Sequence, residues 1–166
     1  MPHATPTVED VTELGTVLSL VAPPEFEDGN GHVNVGHYYR LHMTGADAYF
    51  RELGFDDDYR ERTGHSVFSI EHHIRFLDES LVGEELSVHL RLLGVGPKAL
   101  HGQTIIVNRT RGTVANTLEF LELHVDLSTR RTTAMPEHLM PPLHAELERH
   151  RALPWMLPLS DTMGVR

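Results

Sequence analysis

The chain contains no cysteine, and this absence excludes disulfide bonds, thiolate metal ligands and a cysteine nucleophile. Positive charge is scarce as well: 14 lysine and arginine residues stand against 24 aspartate and glutamate residues, which gives a formal net charge of -10. Nucleic acids and anionic lipids bind proteins through basic surfaces. We therefore expect neither a nucleic acid nor a membrane among the partners of this protein.

Long hydrophobic runs are also missing. No segment has the length and hydropathy of a membrane span, and the N-terminal residues lack the basic and apolar regions of a secretory signal. These absences predict a cytoplasmic protein. With 166 residues, 40% of them hydrophobic, the chain can bury one core but is short for two. We expect a single domain over residues 1–166, with its core at 11–131 and a C-terminal helix and tail at 136–166.

Apolar residues recur at helical spacing in the first half of the chain. The pattern predicts a long helix over residues 35–53, with Asn34 as its N-cap and Gly54 after its C-terminal end. A strand is predicted before this helix, at residues 12–22, because β-branched and apolar residues there end at two prolines. A short acidic helix is predicted after it, closed by Gly64.

Beyond Gly64 the spacing changes to the alternation of strands. Four strands are predicted in hairpin succession, at residues 65–77, 84–95, 100–108 and 114–127. In the first of them, one face is expected to hold Phe68, Ile70, Ile74 and Phe76. The pattern predicts an α+β fold, with one long helix against a mostly antiparallel sheet of about five strands and a further helix near the C-terminus. The open edges of such a sheet favour a dimer.

The segment EDGNGHVNVGHYY is dense in turn-forming and ionisable residues. Its alternating Asp, Asn and Gly suggest a calcium loop, but an EF-hand containing Asp28 would place Phe26 and His37 at ligand positions. His32, His37 and His42 recur at intervals of five residues, which puts them on different faces of a helix. The sequence therefore predicts no metal site.

Asp28 lies in a loop that leads directly into the predicted long helix. The first N–H groups of a helix have no intrahelical acceptor and carry the positive end of its dipole, so they can stabilise an oxyanion. A carboxylate that acts as a base, beside donors that stabilise an oxyanion, is the smallest set of groups needed to transfer an acyl group to water. The structural alternative is that Asp28 forms a turn and Asn34 caps the helix, with no chemistry at either residue.

These residues resemble the hotdog-fold thioesterases of the 4-hydroxybenzoyl-CoA type. That signature has an aspartate three residues before a glycine, often followed by His-Val-Asn and then by a tyrosine in the first turn of the long helix. The matching residues here are Asp28, Gly31, His32, Val33, Asn34 and Tyr38 or Tyr39. Three stretches also look like the thioesterase group associated with carnitine breakdown, which hydrolyses betainyl-CoA: PEFEDGNGHVNVGHYY, SVFSIEHHIRF and HVDLSTRRTTAMP.

The resemblance implies hydrolysis of an acyl-CoA thioester to free acid and CoA, with betainyl-CoA or another short acyl-CoA as substrate. Asp28 would activate water or attack the carbonyl, the backbone N–H of Val35 would stabilise the oxyanion, and Asn34 would lie beside them. The residues expected to contact the substrate are Gly36, Tyr38, Phe26, Glu71 and His32. No cofactor is implied apart from the coenzyme A of the substrate, and the expected assembly is a homodimer or a dimer of dimers.

Three basic residues are candidates for contacts with the phosphates of coenzyme A. Lys98 and His101 flank a predicted hairpin, and Arg130 follows a predicted strand. Lys98 and His101 could instead be solvated turn residues. The alternative function from another class is a hotdog protein that binds an acyl-CoA or another thioester without hydrolysing it, because a fold does not determine a function.

Overall fold

The computed structural model describes residues 6–165. The helices are α1 (Val8–Thr12), α2 (Val35–Glu52), α3 (Asp57–Thr63) and α4 (Met140–Arg151), and two short 3-10 turns lie at Pro24–Phe26 and Glu137–Leu139. The strands are β1 (Leu18–Val21), β2 (His65–Phe76), β3 (Glu85–Val95), β4 (Ala99–Asn108), β5 (Thr113–Asp126) and β6 (Arg131–Thr132). Among the described residues, no helix is both long and apolar enough to cross a bilayer.

One antiparallel sheet surrounds the long helix. Its strands lie in the order β1-β3-β4-β5-β2, and the two-residue β6 pairs with β5. Helix α2 packs against β1, β3, β4 and β5, so that most of the hydrophobic core lies between this helix and the sheet. The predicted α+β arrangement is therefore confirmed, and so are the long helix and the C-terminal helix α4.

Helix α2 begins where its cap was predicted. The side-chain oxygen of Asn34 accepts a hydrogen bond from the backbone N–H of Gly36 at 2.9 Å, as in an N-cap. Farther along, Gly45 lets the helix approach β3 closely, because a Cβ at this position would lie 2.6 Å from Cγ1 of Val88. Gly64 ends α3 in the left-handed conformation, which also agrees with the prediction.

The strand predicted at residues 12–22 is wrong over its first half. Only Leu18–Val21 pairs with β3, and the preceding residues include α1. The side chain of Thr7 and the carboxylate of Asp10 form a reciprocal capping box that starts this helix, and Gly15 then turns the chain with a φ of 88°. The helix ends at Thr12 and the turn at Gly15 follows it, so the chain can pair with β3 as a strand only from Leu18.

The faces predicted for β2 are also wrong in part. A bulge between Ser69 and Glu71 leaves Ile70 without a partner on β5 and shifts the alternation of side chains by one residue. Ile74 consequently packs into the core beneath α2, whereas Phe68 lies on the outer face of the sheet. Phe68 is 39% exposed and Ile70 is 53% exposed. An apolar surface therefore follows the open edge of the sheet.

The segment after α4 covers part of the outer face of the sheet. Trp155 and Leu157 pack against Ile105 and Val107 of β4 in a small apolar cluster. The buried guanidinium of Arg91 donates to the backbone oxygen of Trp155 and lies 4.4 Å from the centre of its indole ring. The outer face near β4 is therefore occupied by this chain, and the tail goes on to contact β2, where Arg75 donates to the oxygen of Leu159 at 3.1 Å.

Candidate active site

The loop that carries Asp28 is held closed by its own backbone. The N–H of Asp28 donates to the oxygen of His32 at 3.0 Å, and the N–H of Gly31 donates to the oxygen of Asp28 at 3.0 Å. Gly31 adopts a φ of 83°, a conformation that favours glycine. One residue before the helix, the N–H of Asn34 donates to the oxygen of Phe26 at 2.8 Å. These bonds fix Asp28 relative to the start of α2.

Only one of the two carboxylate oxygens of Asp28 forms a hydrogen bond within the described protein. Its Oδ1 accepts from the N–H of Asn30 at 2.8 Å and lies 3.4 Å from Nδ1 of His32. Its Oδ2 has no hydrogen-bond partner among residues 6–165, and 17% of the side chain is exposed. Asp28 does form a turn, as the structural alternative expected, but one oxygen is left to accept a proton or contact a substrate.

The first turn of α2 presents one free backbone donor. The Asn34 side chain occupies the N–H of Gly36, whereas the N–H of Val35 has no acceptor within the described chain. The Val35 side chain is 57% exposed, so this end of the helix faces solvent. A free N–H at the positive end of a helix dipole is suited to stabilising a developing oxyanion.

A cavity of about 370 Å³ lies at the start of α2. Asp28 is not one of its lining residues, but Oδ1 of Asp28 lies 3.4 Å from Nδ1 of His32, which is. Its walls are formed by His32, Val33, Val35, Tyr38, Phe76, Leu77, Asp78 and Glu79. The rings of Tyr38 and Phe76 meet edge to face, with their centres 5.8 Å apart. Burial raises the pKa of the Tyr38 hydroxyl, so this group is an uncharged donor at neutral pH. The cavity is therefore mostly apolar, with polar groups at its rim.

The guanidinium of Arg111, which lies next to two acidic residues of the cavity wall, is already paired with carboxylates of the protein. Nε of Arg111 donates to the Glu84 carboxylate at 2.6 Å. Its guanidinium also lies 3.9 Å from the carboxylate of Asp78 and 3.6 Å from that of Glu79. Asp78 and Glu79, the two acidic residues of the cavity wall, thus both lie beside the same arginine. A substrate phosphate would need other basic groups.

The expected substrate-contacting residues divide into two sets. His32, Val35 and Tyr38 line the cavity, and Gly36 lies at the adjacent helix start. Phe26 lies outside the lining and stacks on the His37 ring, with the ring centres 4.0 Å apart. Glu71 lies on the outer face of the sheet, where Oγ1 of Thr162 donates to its carboxylate at 3.5 Å. Within one chain, the structure does not bring Glu71 to Asp28.

The three expected phosphate-binding residues lie toward the opposite end of the sheet. Ala99, next to Lys98, pairs with Leu123, and Leu123 pairs with Phe68 near the start of β2, whereas the cavity adjoins Phe76 at its end. Arg130 lies there too, with its guanidinium 5.6 Å from the Phe68 ring centre. His101 is buried, and its Nε2 lies 2.9 Å from the Glu119 carboxylate. His101 therefore contacts Glu119 within the protein and is not exposed to a phosphate of the substrate.

Sequence reasoning missed the wall that follows β2. Phe76, Leu77, Asp78 and Glu79 line the cavity, although nothing in their spacing links them to the Asp28 loop. Glu122 of β5 was missed as well: it is a buried carboxylate on the inner face of the sheet. Both features depend on which strands pair and in what register.

Comparison with known sequences supports one family. The sequence model of the thioesterase-like superfamily matches residues 22–143. A betainyl-CoA thioesterase of Pseudomonas aeruginosa is 33% identical over 144 residues, which cover 87% of this chain and 91% of that protein. An L-carnitine dehydrogenase/betainyl-CoA thioesterase of Agrobacterium fabrum is 41% identical over 128 residues. That match covers 76% of this chain but 26% of the longer relative, so this chain spans about a quarter of its length.

Comparison with solved structures supports the fold. A hypothetical protein from Staphylococcus aureus, solved in complex with CoA, superimposes with a TM-score of 0.80 at 21% identity and covers 90% of this chain and 92% of that one. A 1,4-dihydroxy-2-naphthoyl-CoA thioesterase from Synechocystis superimposes with a TM-score of 0.67 at 12% identity, covering 80% and 94%. The chain therefore belongs to the thioesterase-like superfamily, and its long helix within a curled antiparallel sheet is the hotdog fold.

Proposed function

We propose that this protein hydrolyses the thioester bond of an acyl-CoA and releases a free acid and CoA. The observation that carries the proposal is the arrangement at the start of α2, where the free N–H of Val35 and a mostly apolar cavity meet, and where His32 of the cavity wall lies 3.4 Å from the half-engaged carboxylate of Asp28. The three groups correspond to the base or nucleophile, the oxyanion donor and the acyl site that the reaction needs.

Two routes are compatible with this geometry. In the first, Oδ2 of Asp28 removes a proton from a water molecule whose oxygen adds to the carbonyl carbon. In the second, the carboxylate adds to that carbon itself, and water then hydrolyses the resulting anhydride. In both routes the C–S bond breaks and the sulfur leaves as the thiol of CoA after gaining a proton. The Val35 N–H stabilises the negative oxygen of the tetrahedral intermediate in either case.

We further propose that the acyl group is short and cationic, as in betainyl-CoA. This proposal is supported by relatives named for betainyl-CoA that are 33% and 41% identical to the chain. It is also supported by the charge of the protein, because a net charge of -10 attracts a cationic acyl group more than an anionic one.

We also propose that the protein works as a homodimer paired through β2, alone or within a dimer of dimers. Strand β2 is at one edge of the sheet and exposes Phe68 and Ile70. Two such strands that pair antiparallel bring the start of one beside the end of the other. Lys98 and Arg130 of one subunit would thus approach the Asp28 cavity of its partner. This arrangement would supply the phosphate contacts that one chain lacks at that cavity.

The proposed reaction is tested by thiol release from a panel of betainyl, short-chain, long-chain and aromatic acyl-CoA esters. We expect turnover of the betainyl ester, with weaker turnover of long-chain and aromatic esters. If CoA esters raise the melting temperature of the protein but no ester releases thiol, the protein binds thioesters without hydrolysing them and the proposal is wrong. A thiol-detecting assay and a thermal-shift assay on the same preparation separate the two results.

A further inference from the structure

A second, smaller cavity lies beneath the other half of α2. Its volume is about 180 Å³, and it is lined by Met43, Ala46, Asp47 and Phe50 of α2, Phe55 after α2, Val67 of β2 and Glu122 of β5. Asp47 is exposed and pairs with Arg51, so Glu122 is the one buried acid among these residues. The cavity therefore combines mostly apolar walls with one buried carboxyl group.

The Glu122 carboxyl group is only partly satisfied by the protein. Its residue is 7% exposed, and its Oε1 accepts from Oγ of Ser69 at 3.2 Å. Its Oε2 is buried and has no hydrogen-bond partner among the described residues. Burial raises the pKa of this group, which means that its surroundings do not supply a balancing positive charge. An unpaired buried carboxyl is costly and is typical of a site that takes a ligand.

No basic side chain of the described protein completes this site. None of the residues that line the cavity is basic. Arg51 adjoins the cavity rim, but its guanidinium donates to the carboxylates of Asp47 at 2.6 Å and Asp57 at 2.7 Å. Oε2 of Glu122 is therefore free to contact a cation that comes from outside the chain.

The walls indicate what kind of cation fits. Phe50 and Phe55 meet edge to face with their ring centres 6.0 Å apart, and aromatic faces attract alkylated ammonium ions. A metal ion would need several oxygen or nitrogen ligands, and the described residues contain no group of three or more His, Asp and Glu side chains that could hold one. We propose that this cavity binds a small alkylated ammonium ion, with the Glu122 carboxylate as its counter-ion.

Two sources could supply this chemistry: the acyl group of a cationic thioester or a free quaternary ammonium compound. The acyl source rests on the proposed thioesterase function. Val35 and Asp47 are twelve residues apart in α2, or about 18 Å along the helix, which a short acyl group held at Asp28 of the same chain cannot span. Val67, however, lies near the start of β2. Antiparallel pairing of two β2 strands would place this cavity beside the Asp28 cavity of the partner subunit.

The binding step can be tested without any turnover. The probe is tetramethylammonium chloride, titrated into the whole protein by calorimetry with sodium chloride as the reference salt. We expect saturable binding by the wild type and at least about tenfold weaker binding by Glu122→Gln, which keeps the size of the side chain and removes its charge. Glu148→Gln is the matched control, because Glu148 is an exposed acid of α4 paired with Arg151. Equal affinity in Glu122→Gln, or no saturable binding by the wild type, would overturn the proposal.

A second measurement covers the case in which Glu122→Gln does not fold. In the wild type, protonation of Glu122 removes the counter-ion, so the affinity for tetramethylammonium is expected to fall as the pH is lowered. An affinity that stays constant until the protein unfolds would contradict the assignment of Glu122. This measurement needs no substitution.

Turnover distinguishes the two sources of the cation. Betainyl-CoA is compared with 3,3-dimethylbutyryl-CoA, which has the same shape with carbon in place of the charged nitrogen. If the acyl group occupies the cavity, Glu122→Gln is expected to reduce the preference for the charged ester by at least about tenfold, with the neutral ester little changed. Loss of tetramethylammonium binding with an unchanged preference would support the cavity and identify a free cation as its ligand. Absence of thiol release by the wild type would contradict the proposed function, while the binding result would still decide the cavity.

Discussion

Val35 contributes to the proposed mechanism through its backbone N–H and not through its side chain. The side chain is 57% exposed, and the N–H stands at the first position of α2. Proline is well tolerated at this helix position because the N–H there has no intrahelical acceptor. Asn34, the preceding residue, has a φ of -63° and a ψ of 143°, which a following proline permits. One substitution can therefore remove the donor and leave the helix intact.

We predict that Val35→Pro lowers kcat by about 100-fold or more, because loss of one oxyanion donor typically costs this much. Val35→Ala, which keeps the N–H and only shortens a side chain that lines the cavity, is expected to lose far less activity. Steady-state kinetics give the effect, and circular dichroism with thermal unfolding verifies the fold of both variants. Full activity in a folded Val35→Pro protein would show that this N–H does not contact the reacting oxygen.

His42 is a residue whose role is structural. Its ring is fully buried, with Nδ1 at 2.8 Å from Oγ1 of Thr104 and Nε2 at 2.7 Å from Oδ1 of Asn116. Burial lowers the pKa of His42 from 6.5 to about 4, and the pKa of His150 falls to about 4 for the same reason. Both rings are therefore mostly neutral in the folded protein at any pH above about 4. In the unfolded chain they gain protons near their ordinary pKa.

At the scale of elements, β2 combines an open edge with an apolar surface. Its bulge turns Phe68 outward and leaves Ile70 unpaired, so both contribute apolar area beside unpaired backbone groups. Such an edge is a template for pairing with another strand unless it is covered or charged. The proposed dimer gives this surface a partner.

We predict that Ile70→Lys weakens the dimer, because a charged side chain at the strand edge opposes pairing. Analytical ultracentrifugation should then detect monomer, and thiol release should fall if the site needs groups from both subunits. The matched control is Val21→Lys, which places the same charge on β1 at the other edge of the sheet, where Val21 is 61% exposed. Equal dimer stability in both variants would place the interface elsewhere.

Elements with local signals were predicted well from the sequence. Asn34, the apolar spacing of α2 and Gly64 are each explained by contacts within a few residues. The bulge in β2 was not predictable in this way, because the register shift is defined against β5. In the candidate site, too, local features could be predicted and features that depend on strand pairing could not. The Asp28 loop could be predicted from its motif, whereas Phe76 and Glu122 join their cavities only through strand pairing.

At the scale of the whole molecule, the buried rings of His42 and His150 link stability to pH. Their pKa values are lower in the folded state, so the unfolded chain binds more protons between about pH 6.5 and about pH 4. Stability from this source is complete above that window and is lost as the pH falls through it. Glu122, whose pKa is raised, has the opposite sign and offsets part of the loss.

We predict that the free energy of unfolding falls by about 2 kcal/mol for each of His42 and His150 between about pH 7 and about pH 5. Urea unfolding at the two pH values measures the change. His42→Gln keeps a hydrogen-bonding side chain but cannot be protonated, so its stability should depend less on pH than that of the wild type. The same pH dependence in both proteins would mean that His42 does not titrate in this window.

For the whole molecule, we propose that the Asp28 carboxylate is the group on which hydrolysis of an acyl-CoA thioester depends. The most direct measurement is thiol release from betainyl-CoA by the wild type and by Asp28→Asn, with Asp58→Asn as a control that removes an exposed acid of α3. Asparagine keeps the size of the side chain and can still accept from the Asn30 N–H, so the loop should remain closed. We predict that Asp28→Asn folds normally and loses at least about 100-fold in kcat, whereas Asp58→Asn keeps its activity. Turnover by a folded Asp28→Asn protein at the wild-type rate would contradict the account.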